Sequence, residues 1–174
     1  MQQATRTRAA IVVSLWIILA CTHARAADIN LSGTVVASAC TVDAETKDQT
    51  VTFEQARAVD YPNVSDTSEW QDFALTLSAC PASTTQVTVT FTGDADNDDP
   101  TKFANTLGDA TGMALQIMSR DHITEISPQG ALAVNVDSIS RSATFPLSAR
   151  LYTPTGYVTA GEFKAVVQFS FTYQ

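Results

Sequence analysis

Hydrophobic and polar positions alternate with a period of two along much of this chain, and that period predicts strands. The C-terminus carries it furthest: Phe163, Ala165, Val167, Phe169, Phe171 and Tyr173 alternate with Lys164, Val166, Gln168, Ser170, Thr172 and Gln174. One face is therefore apolar over the last twelve residues, and a terminus this apolar should be buried. Near the other end, Ile29, Leu31, Gly33, Val35 and Ala37 alternate with Asn30, Ser32, Thr34, Val36 and Ser38, a second amphipathic strand. Between them, residues 51–53, 73–77, 87–91, 115–118, 132–136 and 144–152 are short runs rich in β-branched and aromatic side chains. Turn clusters separate them, notably at 93–100 and 153–156, and helical turns are expected at most over 54–59 and 101–107. Many short strands at this spacing predict an all-β sandwich of immunoglobulin-like type, in one domain with no repeat or linker dividing it.

The first residues follow a different rule. Arg6 and Arg8 precede an uninterrupted apolar run over residues 9–20, and Ala24-Arg25-Ala26 supplies the small-x-small pattern that a signal peptidase cuts. Residues 1–26 read as a secretory signal peptide, with the mature chain starting at Ala27. The run is shorter than the roughly 20 residues a membrane-spanning helix needs, so no direct membrane anchor is expected. A lipoprotein reading would use Cys21, but a small residue is usual where Leu19 sits.

Export changes the meaning of the cysteines. The leader removes Cys21 and leaves Cys40 and Cys80 in an oxidising compartment, where they should form one disulfide. A reactive cysteine would need an activating His or helix N-terminus close by, and the pattern offers neither. The 174-residue chain has a net charge of −8, and loss of Arg6, Arg8 and Arg25 makes the mature part more acidic still. Such a surface repels nucleic acid.

Three features invite a reading as chemistry. Asp121-His122 evokes a catalytic pair, yet neighbours in a turn point apart, and a triad also needs an oxyanion hole. Asp94, Asp96 and Asp98 imitate the start of a calcium loop, but Asp99 stands where that loop needs Gly and Asn105 where it needs Glu. Asn63-Val64-Ser65 matches a glycosylation acceptor by spacing alone. The sequence therefore predicts no catalytic residues, no metal and no cofactor.

Several local motifs occur in a specific order. Ala27-Asp28 opens the alternating strand that holds Gly33, followed by Ala39-Cys40-Thr41-Val42 and by the run from Trp70 through Leu77 to Cys80-Pro81. Phe91-Thr92-Gly93, the run from Gly112 to Met118, Phe145-Pro146-Leu147 and Thr159-Ala160-Gly161 come next, with Tyr173 penultimate. In this order they resemble the pilin subunits of chaperone–usher fimbriae, most closely the minor (adaptor) subunits of type 1 fimbriae. The resemblance implies an incomplete immunoglobulin-like fold over residues 39–174, lacking its seventh strand and completed by donor-strand complementation. It implies as partners a periplasmic chaperone, which lends a strand, an outer-membrane usher, and neighbouring subunits whose N-terminal extensions replace the chaperone strand.

By the same resemblance, residues 27–38 are a donor extension presenting Ile29, Leu31, Gly33, Val35 and Ala37. Gly161, Val167, Phe169, Phe171 and Tyr173 would form the acceptor groove and chaperone site. The implied location is a fimbria on the bacterial surface, reached through the periplasm. Periodicity alone leaves another reading open: both terminal strands could belong to a closed sandwich, as in a secreted or lipid-anchored immunoglobulin-like binding domain that folds by itself. Within the family, a major shaft pilin is the alternative to an adaptor.

Overall fold

The computed structural model describes residues 39–174; residues 1–38, with the expected leader and donor extension, lie outside the described residues. In chain order the strands are β1 (Thr41–Val42), β2 (Gln71–Ser78), β3 (Gln86–Thr92), β4 (Phe103–Ala104), β5 (Ala114–Ser119), β6 (Glu125–Ile126), β7 (Ala131–Asn135), β8 (Ala143–Tyr152) and β9 (Gln168–Tyr173). They form two antiparallel sheets. One runs β1-β2-β8-β5-β4, with β6 also paired to β5, and the other runs β7-β3-β9.

The period of two explains how the sheets stack. Leu75 and Leu77 of β2, Phe145 and Leu147 of β8, and Leu115 and Ile117 of β5 turn inward and meet Val87, Val89 and Phe91 of β3. Between them these side chains are at most 8% exposed. Cys40 is bonded to Cys80, as expected, joining the chain ahead of β1 to the turn after β2. The bond closes a 40-residue separation, for which the chain-entropy account gives about 4 kcal/mol.

Two local arrangements depart from simple strand rules. Pro146 lies in β8, between β2 and β5, although proline cannot donate to a ladder. Its carbonyl accepts from the Arg120 N–H, one residue beyond the end of β5, so the missing donor falls where β5 has already stopped. The short helix α1 (Ala44–Lys47) ends strand pairing along one side of β2. There the buried Thr46 hydroxyl accepts from the Thr76 N–H at 2.7 Å and donates to the Thr76 carbonyl at 3.1 Å, replacing a ladder partner.

A polar network covers the outer face of the larger sheet. Lys102, 5% exposed, pairs with Glu125 at 2.8 Å and Asp99 at 3.2 Å. Glu125 accepts from Gln116, Gln116 accepts from Arg150, and Arg150 also donates to Thr67. The Arg150 guanidinium lies over the Trp70 ring. Two loops, at 99–102 and 67–70, are thus held to the sheet by hydrogen bonds to charged groups, the stronger kind.

Some expected elements differ. Residues 101–107 contain β4 instead of a helical turn, because Phe103 enters the core at 1% exposure and bridges Ala95. Within 54–59, helical geometry is confined to the 3-10 turn Ala58–Asp60, whose Asp60 carboxylate binds Arg57. Residues 51–53 keep their alternation without joining a ladder, and the ladder of the last strand covers only Gln168–Tyr173.

Candidate functional site

Among the described residues, β9 has a partner on one side only, β3. Gln174 and Gln86 exchange both backbone hydrogen bonds, at 2.9 and 3.1 Å. Antiparallel alternation then turns the N–H and C=O groups of Thr172, Ser170 and Gln168 toward β3, and those of Tyr173, Phe171 and Phe169 toward the open side. The free polar edge and the inward aromatic face thus come from the same residues. On β3, Val87, Val89 and Phe91 are at most 2% exposed, whereas Phe169, Phe171 and Tyr173, with no further strand beyond them among the described residues, are half-buried.

The opposite wall is the extended segment 49–58, in which half-buried Val51 and Phe53 alternate with exposed Thr50, Thr52 and Glu54. Between the walls lies a cavity of about 380 Å³, floored by core residues such as Phe73, Leu75 and Phe91 and lined by Val167 and Phe169. A second cavity of about 660 Å³ continues it past Phe53 and Phe163, which line both, to Tyr61, Met113 and Gly161. Phe171 and Tyr173 extend the same aromatic face beyond the first cavity; Phe171 packs on buried Phe145 at 5.9 Å and on Phe169 at 5.7 Å. Burial pushes the phenols of Tyr61 and Tyr173 up, and Asp60 adds to the effect at Tyr61.

Gly161 has a steric role here. A Cβ at this position would lie 2.6 Å from the Ala110 backbone N and 2.6 Å from Asp109 Oδ1. The close approach ties the upper groove wall to the loop after β4. Sequence reasoning did not single out Val51, Phe53, Tyr61 or Met113 for the groove. Their alternation, or simple apolarity, marked them as core, and no local signal distinguishes a cleft wall from a core strand.

The other candidates have structural partners. The Asp121 carboxylate accepts from the Ser119 hydroxyl and the Ile123 N–H, which hold it below its usual range, while His122 stacks on Trp70 with ring centroids 4.2 Å apart. Asp96 accepts from the N–H groups of Asp98 and Asp99, an Asx turn within the acidic loop. The residues 29, 31, 33, 35 and 37 of the expected donor face lie outside the described residues.

An immunoglobulin-like sandwich with its last strand bare along one edge, above an apolar cleft, is the architecture of pilus subunits. The crystal structure of the P pilus rod subunit PapA matches it with a TM-score of 0.65, over 78% of this chain and 99% of that one, at 20% identity. A Burkholderia pseudomallei antigen and type I fimbria protein matches with a TM-score of 0.58, over 77% and 88% of the two chains, at 29% identity. In sequence, the chain is 33% identical to the protein FimG of Escherichia coli over 164 residues, covering 93% of this chain and 95% of that protein. Residues 29–174 match the family described as fimbrial protein, and the chain belongs to that family. It is a structural subunit of a fimbria, exported through the periplasm to the cell surface.

Proposed function

We propose that the groove between residues 49–58 and 158–173 is an acceptor for a strand supplied by another protein. A periplasmic chaperone covers it first, and at the outer-membrane usher the N-terminal extension of a neighbouring subunit takes its place. Residues 27–38 then serve in turn as donor for the next groove, through Ile29, Leu31, Gly33, Val35 and Ala37. One observation carries the reading: among the described residues Phe169, Phe171 and Tyr173 stay half-buried with no strand paired to their outer edge, while the facing side chains of β3 are fully buried. An added strand would satisfy that edge and cover that face at once.

The role is structural rather than catalytic, and the partners of Asp121 and His122 support this. The motifs around Trp70 and Cys80-Pro81 favour an adaptor over a shaft pilin, and the chain is similar to FimG over nearly the whole length of that protein. Deletion of residues 27–38 tests the donor half of the proposal. The chaperone complex should form normally, with an unchanged unfolding temperature, but should no longer be added to the preceding subunit; unimpaired addition would refute the donor role.

A further inference from the structure

We infer that Asn105 is a positioning residue which, together with Asp109, stands in for a missing strand and extends the pairing edge of the groove from β9 up to Phe163. The inference rests on the acceptor reading and specifies how the groove is built. β9 has six residues, about half the length of the extension proposed to fill such a groove. Upstream of it the alternation continues, with Phe163, Ala165 and Val167 half-buried and Glu162, Lys164 and Val166 exposed, but among the described residues no strand bonds the outer side.

Loop groups do so instead. The Glu162 N–H donates to Asp109 Oδ1 at 2.6 Å, and the Glu162 carbonyl accepts from the Ala110 N–H and from Asn105 Nδ2, each at 3.0 Å. The Lys164 N–H donates to Asn105 Oδ1 at 2.7 Å, and the Lys164 carbonyl accepts from the Leu107 N–H at 3.1 Å. Both backbone groups of both residues are thereby satisfied from outside the groove.

Asn105 reaches its full capacity in doing this. Its amide nitrogen also donates to the Ala110 carbonyl at 2.8 Å, and its oxygen also accepts from the Gly108 N–H at 3.1 Å. A Cβ on Gly108 would overlap the Glu162 carbonyl, so the loop can come this close only without a side chain there. With Glu162 and Lys164 turned outward, the period of two turns the N–H and C=O groups of Phe163 and Ala165 into the groove, in line with those of Phe169 and Phe171. The edge from 163 to 173 then spans roughly 33 Å, enough for a strand of about eleven residues.

The test appends a strand to the mature chain after Gln174 through a short turn, using a copy of either residues 27–38 or residues 27–32. Folding back from Gln174, the shorter copy reaches only β9, and the longer one reaches the segment held by Asn105. In the unsubstituted chain the longer copy should raise the unfolding temperature above that of the shorter by about 5 °C or more. Asn105→Ala should abolish this increment, whereas a purely structural loss would lower both forms equally and leave it intact. Asn105→Asp, which keeps the acceptors and loses the donors, should reduce it, and Asp109→Asn, which keeps an acceptor oxygen, should preserve it. An undiminished increment in both Asn105 variants, or none in the unsubstituted chain, would overturn the inference. Failure of either appended strand to give a stable monomer would count instead against the acceptor reading itself.

Discussion

Replacing Phe171 by Asp is the most direct probe of the aromatic face, because the neighbouring Ser170 supplies a control on the opposite face of the same strand. Phe171 contacts Phe169 edge-on and rests on Phe145, which is fully buried. Truncation of a covered phenylalanine costs about 3–5 kcal/mol, the loss of its aromatic contacts included. Desolvating a carboxylate placed there adds further cost once a strand closes the groove. The total is at least about 3 kcal/mol, a large share of the stability of a marginal domain. Ser170→Asp, exposed, should change stability by less than about 0.5 kcal/mol. The assay is the periplasmic yield of soluble subunit with its chaperone co-expressed: Phe171→Asp should be degraded or aggregate, and Ser170→Asp should accumulate normally. Equal yields of the two variants would refute the claim that a partner strand covers this face.

Gly161→Ala forces a Cβ to within 2.6 Å of the Ala110 backbone, so the subunit in its chaperone complex should lose about 1–3 kcal/mol in thermal unfolding. Paired Cys40→Ser and Cys80→Ser substitutions should lower stability by about 4 kcal/mol, read from the denaturant midpoint, and should match the effect of a reductant on the native chain. Lys102→Met leaves the carboxylates of Asp99 and Glu125 without their shared cation and should cost about 2 kcal/mol or more by the same measurement. Burial opposes the charge on Lys102, but its bonds to Glu125 and Asp99 prevail and hold its pKa above the usual 10.5. Its stabilisation is therefore complete below pH 10.5 and fades as pH rises through the higher folded value, so a pH titration of unfolding should show an alkaline loss that Lys102→Met lacks.

Alternation of apolar and polar residues made β2, β3, β5, β7, β8 and β9 legible in the sequence, because each is long enough to show a period of two. β1, β4 and β6 have two residues each, too few to carry a period, and Phe103 gave no sign that it would bridge to Ala95 instead of joining a helical turn. The groove was half legible for a deeper reason. Periodicity reports which face of a strand is apolar, but not whether its edge is bonded, so Val51 and Phe53 read the same as a core strand. Likewise 163–167 read as one strand with 168–173, although its outer bonds come from Asn105, Asp109 and the loop backbone. Those contacts join residues about fifty apart in sequence, and no local pattern encodes them.

The Cys40–Cys80 bond has a mechanical consequence. β1 holds to its neighbour over only two residue pairs, Thr41 with Ser78 and Val42 with Leu77, and a ladder that short would peel open one rung at a time under a pull on the chain ahead of it. The disulfide sits upstream of β1, so tension arriving at Cys40 passes covalently to Cys80 at the end of β2, whose seven pairs with β8 are loaded together. In a filament of such subunits joined end to end, traction on the tip would travel through sulfur into the middle of the larger sheet, and the weak first strand would carry almost none of it.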